Sequence, residues 1–241
     1  MNLGDPTQAV TPTLDGAVLA VLARAGRPLT VGEVAADSVR GSEIGIRRCL
    51  GRLVDQGIVR ATQMGRNRVH ELNRDHVAAR VAELLADLRL ELWKRLRNEL
   101  QHWKVAPHHA CVFGSAARGD GDDQSDVDIL LVHPLFPGDP KSPRQETLRR
   151  KMAVAFSAPP AWGPAQASLW SKQVDQLHSL VMAWTGNPVQ VIDVSYAEWV
   201  GRPVNEGIWA EIERRSIDLT PPRSAVLMPT LPPSSRPRAG S

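Results

Sequence analysis

Apolar residues in the first part of the chain recur at helical spacing, and the runs are bracketed by capping residues and glycines. Leu14, Val18, Val21 and Leu22 predict a helix that stops at Gly26. Thr30 is placed to cap a second short helix carrying Val31, Val34 and Ala35. Ser42 is placed to cap a third, with Ile46, Cys49, Leu50, Leu53 and Val54 on one face and Gly57 as its stop. The pattern then changes. Residues 58–62 and 68–72 read as two short strands joined by Met64-Gly65-Arg66-Asn67.

Three helices followed by a hairpin, over residues 14–75, is the order of a winged helix-turn-helix. Residues 76–104 form a linking helix, with Val77, Val81, Leu84, Leu85, Leu88, Leu92, Leu96 and Leu100 as its apolar stripe. One stripe of this width predicts packing within the chain, with pairing to a second copy in a homodimer as the other use. Pro107 ends that helix, and Ala110–Phe113 and Val127–Val132 read as apolar strands. Segments 142–156 and 165–184 read as helices, the second with Val174, Leu177, Val181 and Trp184 inward. A third strand at Val189–Val194 and a short helix at Trp209–Arg215 complete a unit over residues 105–220. The fold class predicted is α+β, with a small mixed sheet flanked by helices behind the first unit. Residues 1–13 show no periodicity and read as a disordered arm. Residues 221–241, rich in Pro, Ser and Arg, read as a disordered tail.

Composition narrows the class. The 241 residues are 42% apolar and 23% charged, as in a soluble globular protein. No stretch is long and apolar enough for a membrane span, and the N-terminus has no signal-peptide pattern. Cys49 and Cys111 have no metal-ligand spacing and suit a reduced, cytoplasmic setting. A net charge of +3 permits a nucleic-acid partner without requiring one. The distribution of that charge says more. Arg47, Arg48 and Arg52 lie off the apolar face of the third helix, and Arg66 and Arg68 flank the hairpin turn. Arg40 and Arg60 add to the stretch, opposed by Glu43 and Asp55. This predicts duplex DNA binding, with the helix in the major groove and the hairpin at phosphate. The competing expectation is a module for protein contacts whose arginines are solvated.

The densest chemistry lies in VFGSAARGDGDDQSDVDILLV, residues 112–132. An apolar strand delivers Gly114 and Ser115, and an acidic loop leads into a second strand carrying Asp126 and Asp128. Because strand side chains alternate, the two aspartates share a face. Adjacent carboxylates repel unless a cation lies between them, and hard oxygen ligands of this kind suit Mg²⁺, or Mn²⁺. Gly114 allows close backbone approach. Ser115 and the following amides can hydrogen-bond a phosphate. An isolated DxD is weak evidence, but this one opens an otherwise apolar strand, where ionised side chains need compensation.

At Gly114-Ser115, Ala117-Arg118-Gly119, Ser125-Asp126 and Asp128, followed by the apolar residues 129–132, the sequence resembles the DNA polymerase beta-type nucleotidyltransferases, in particular their minimal members. The resemblance covers residues 105–220, with the specific motif in the first third. It implies that Ser115 contacts the phosphates of an NTP and that Asp126 and Asp128 hold divalent ions. Arg118 is either a further phosphate contact or a helix-surface arginine paired with Asp120 or Asp122. The segment ELNRDHVAA, residues 71–79, resembles the exit of winged-helix regulator domains fused to minimal nucleotidyltransferases in bacteria, which implies a bacterial protein. Relatives of this kind often act in toxin-antitoxin pairs, which implies a partner protein.

Active members place a third acid on a later strand. At the corresponding slot this chain has Gln190, and Asp193 stands three positions on, across the face of a regular strand. With Asp193 turned toward the ions, the expectation is an Mg²⁺-dependent transferase moving NMP from an NTP to an acceptor hydroxyl. With Gln190 there, a DNA-binding regulator with an inactive, ligand-sensing or interaction domain becomes the competing expectation.

Overall fold

A computed structural model of the chain describes residues 1–137, 139, 163–203 and 207–221. The expected helix over 142–156 and nearly all of the expected tail over 221–241 lie outside these residues. The local capping signals account for the first unit. Helix α1 spans Leu14–Arg24, β1 Leu29–Thr30, α2 Val31–Asp37 and α3 Glu43–Asp55. The Thr30 hydroxyl accepts from the Glu33 amide and the Glu33 carboxylate accepts from the Thr30 amide, a complete capping box. Ser42 accepts from the Gly45 amide at the start of α3. Strands β2 (Val59–Met64) and β3 (Asn67–Leu72) form the expected hairpin. The two-residue β1 adds a third strand, antiparallel to β3, that no alternation could announce. The core between these elements is built from Val18, Leu22, Val34, Ile46, Leu50 and their neighbours.

Helix α4 spans Ala79–Gln101 and joins the two units. The single stripe read from the sequence divides in two. Ala79 and Ala82 join the core of the first unit, Leu92, Trp93, Leu96 and Leu100 join that of the second, and Leu85 is buried without belonging to either. Val77, Val81 and Leu84, expected in the core, face solvent. A helix that crosses between two cores must turn its apolar face from one to the other, so a straight stripe cannot serve both.

The second unit is a four-stranded mixed sheet in the order β6-β5-β4-β7. Strand β4 (His109–Phe113) runs antiparallel to β5 (Val127–His133), which runs parallel to β6 (Val189–Ser195). Between β4 and β5 lies the short helix α5, Gly114–Arg118. Helix α6 (Pro164–Thr185) covers one face, where Val112, Ile129, Leu131, Trp170, Leu177 and Val181 share a core with α4. Helices α7 (Tyr196–Gly201) and α8 (Gly207–Arg214) serve the other, which gathers Cys111, Phe113, Leu130, Val132 and Ile212. Strand β7 (Ile217–Asp218) closes the edge.

The first thirteen residues are not the loose arm that their lack of periodicity implied. Leu3 is fully buried in the core of the second unit, and Pro6–Ala9 form a 3-10 turn. The Gly4 amide donates to the Gly121 carbonyl at 2.6 Å. Asp5, buried, pairs with Arg40 at 2.5 Å, and the Arg40 guanidinium also donates to the carbonyls of Thr11, Pro12 and Thr13.

Candidate active site

The chain turns sharply where β4 ends. Gly114 adopts a φ of +67°, a left-handed conformation that side chains disfavour. A methyl group there would collide with the Asp128 carboxylate, which lies directly over the Gly114 α-carbon. Asp128 enters from the neighbouring strand, because Phe113 and Asp128 are register partners of β4 and β5. The turn therefore requires glycine both for its backbone and for the carboxylate above it.

Asp126 stands one residue before β5 and is exposed, while Asp128 is half-buried. Burial, and then the charge of Asp126, push the Asp128 carboxyl above its ordinary range; the Glu211 carboxylate adds to this and Arg118 opposes it. Neither aspartate accepts a hydrogen bond from any described residue, and the Ser115 hydroxyl makes none either. Asp122, in the same loop, is by contrast bonded to the Ser125 hydroxyl and the Gln124 amide, which hold it below its ordinary range. The loop thus hydrogen-bonds Asp122 and leaves the DxD pair without a hydrogen-bond partner among the described residues, opposed only by the charge of Arg118. A divalent cation fits two unpartnered carboxylates whose charges disfavour one another. Among the described residues no third His, Cys, Asp or Glu joins a metal-binding group. Two protein ligands, completed by water and phosphate, is an ordinary arrangement for Mg²⁺.

Of the two polar residues of β6, Gln190 is the one that stands beside the DxD pair. In the parallel ladder Asp128 pairs with Gln190 and Leu131 with Asp193. Gln190 thus lies beside Asp128 on the same face. Asp193 lies on the opposite face, with its carboxylate accepting from the Trp170 indole nitrogen at 2.8 Å. The strand is regular through residues 189–195, without the bulge that would have turned Asp193 toward the DxD pair. Asp193 does not join the site.

Arg118 is held by two carboxylates, Asp120 at 3.0 Å and Glu211, and their charges raise its pKa. Glu211, on α8, is the site neighbour that sequence reasoning missed. No motif surrounds it, and its ion pair with Arg118 spans 93 positions. Behind the loop, Arg89 of α4 lies against Gly119, where a side chain would meet its guanidinium, and donates to the carbonyls of Leu3 and Gly4 at 2.6 and 2.9 Å.

Residues 93–155 match the family described as nucleotidyltransferase domain. The match begins inside α4 and takes in β4, the Gly114 turn, the acidic loop and β5, and it supports a transferase whose substrate is an NTP. No curated protein matches the chain. No helix among the described residues is long and apolar enough to cross a membrane.

The basic residues of the first unit are less uniform than their sequence suggested. Arg52 is paired with Asp15 at 2.5 Å, Arg47 with Glu43 at 2.9 Å and Arg60 with Asp75 at 2.7 Å. Arg40 is committed to Asp5. Among the described residues Arg48, Arg66 and Arg68 have no acidic partner and are exposed.

Proposed function

We propose that the chain is a divalent-metal-dependent nucleotidyltransferase that moves NMP from an NTP to an acceptor hydroxyl and releases pyrophosphate. The observation that carries this reading is the pair Asp126 and Asp128, beside the Gly114-Ser115 turn and without a hydrogen-bond partner among the described residues. Asp126 and Asp128 would hold Mg²⁺ or Mn²⁺, which supplies charge stabilisation at the phosphates and a lowered pKa for the attacking hydroxyl. The Ser115 hydroxyl would donate to the triphosphate. Arg118 would keep its side of the cleft positive only in part, since Asp120 and Glu211 already neutralise it. Labelled NTP with Mg²⁺ or Mn²⁺ in a cell lysate should give transferred label. Asp126→Asn and Asp128→Asn should each lower transfer by about 10²-fold or more. Retained activity in both variants overturns the assignment.

One observation favours a second reading. Gln190, neutral, stands beside Asp128 where a third carboxylate would take the acceptor's proton. A regulator whose nucleotidyltransferase-type domain binds nucleotide without turnover would need no acid there. Nucleotide binding without transfer to any acceptor, with either metal, supports it.

We propose further that residues 14–75 are a winged helix-turn-helix that binds duplex DNA. The order of helices and hairpin supports this, as do Arg48 on α3 and Arg66 and Arg68 at the hairpin, exposed and without an acidic partner among the described residues. Affinity should fall steeply with salt, and Arg48→Ala or Arg66→Ala should reduce the salt slope by about 1 where the arginine meets a phosphate. Arg47→Ala and Arg52→Ala should matter less, because their charges are already answered. Salt-independent binding, or none at low salt, counts against DNA as the partner.

A further inference from the structure

Helix α4 carries an apolar stripe that the described residues leave largely uncovered. Val81 is 56% and Leu84 53% exposed, Val77 in the turn leading into the helix is 95% exposed, and Leu88 is half-buried. At about 100° per residue this stripe is centred roughly a quarter of a turn from the buried face formed by Ala82, Leu85, Leu92 and Leu96, and Val81 adjoins Leu85 and Leu92 on the wheel. The stripe is therefore the exposed margin of one broad apolar face, of which the core uses the other side. Exposed apolar side chains gathered on one face mark an interaction site.

The spacing 77-81-84-88 alternates four and three, the interval that keeps a seam facing a partner helix. It stops at Glu91 and Arg95, which occupy the next seam positions and bond each other at 2.9 Å. We infer that this stripe is where two copies of the chain pair, α4 against α4, antiparallel about a two-fold axis between Ala82 and Glu83. In that register Val81 packs on Leu84 of the second copy, and Val77 on its Leu88, each contact occurring twice. Such a surface is self-complementary, as an isologous dimer requires.

Charge chooses a second copy, and chooses the antiparallel arrangement. Arg80 and Asp87 both flank the seam on the side away from the buried face. Antiparallel helices bring like flanks together, so Arg80 meets Asp87 of the second copy at both ends. In a parallel pair Arg80 would instead face the flank carrying the buried Leu85. Within one chain these charges are little used: Arg80 reaches Glu83 only at 3.4 Å, and Asp87 has no partner among the described residues. The seam is only about three turns long, so the dimer is concentration-dependent rather than obligate.

The full chain should sediment as a species whose mass rises with concentration from 26.4 kDa toward twice that value. Val81→Glu and Leu84→Glu, on exposed positions, should keep the circular dichroism spectrum and abolish the rise. Arg80→Asp and Asp87→Arg should each weaken pairing, and the double reversal should restore it. Mixing Val81→Cys with Leu84→Cys chains should give more disulfide-linked dimer than either alone. The native thiols Cys49 and Cys111 are buried and pushed up to about 12, so they do not compete. A monomer at every concentration, a dimer indifferent to both glutamates, or strongest cross-linking of Val81→Cys to itself overturns the proposal.

Discussion

Gly114 shows how much of the candidate site rests on one missing methyl group. Its left-handed φ alone costs a non-glycine residue about 1–2 kcal/mol. The larger effect is on position, since a β-carbon would displace the Asp128 carboxylate from above the turn. Gly114→Ala should therefore lower both stability to urea and nucleotide affinity. A contrasting outcome is expected for Asp128→Asn, which relieves the repulsion from Asp126 and Glu211 and should leave stability at neutral pH equal or higher while metal-dependent binding is lost. If Gly114→Ala binds nucleotide normally, the turn and the carboxylate are not one device. The residues Gly114, Ser115, Asp126 and Asp128 were legible because their spacing is local and strand alternation fixes their faces. Glu211 was not, because only the folded chain brings α8 to Arg118.

The elements were legible wherever a cap or a period marks them, and least legible where the identity of the facing neighbour decides. Thr30 and Ser42 announce α2 and α3 by local hydrogen bonds that the folded chain makes. The periodicity of α4 gives a helix but not which apolar residues are covered, and so Val81 and Leu84 read as core. Strand β6 is the sharper case. Sequence offers two polar residues, Gln190 and Asp193, and only the ladder with β5 assigns their faces. Asp193→Asn should accordingly leave transfer unchanged, with an effect limited to the Trp170 hydrogen bond. Gln190→Asp should raise transfer, because it would set a carboxylate beside Asp128 where a proton from the acceptor can be taken. Loss of transfer in Asp193→Asn, with nucleotide binding spared, would mean that the strand rearranges in the working enzyme.

The N-terminal strap ties the two units into one molecule, and no periodic pattern revealed it because its contacts are single residues far apart in sequence. Leu3 is buried beneath the second unit, Gly4 bonds the backbone of the acidic loop at Gly121, and Asp5 pairs with Arg40 between α2 and α3. Arg89 clamps the same strap from α4 through the Leu3 and Gly4 carbonyls. A charge-assisted hydrogen bond of this kind contributes about 1.5–3 kcal/mol, so Arg89→Ala should destabilise by that order. Removing Arg40 is expected to cost more, about 3–5 kcal/mol, because Asp5 would be left charged and buried. The site of the effect is the discriminating readout. Since the strap continues from Arg40 to Gly121, Arg40→Ala should speed amide hydrogen exchange in the loop of residues 119–125 as well as locally. Arg48→Ala, on the exposed face of α3, should leave that loop unchanged. By linkage, a ligand that tightens the turn between α2 and α3 would then tighten the acidic loop, and nucleotide would act in reverse by the same factor. Exchange that rises only within residues 14–75 on Arg40→Ala would show the strap to be a passive tether.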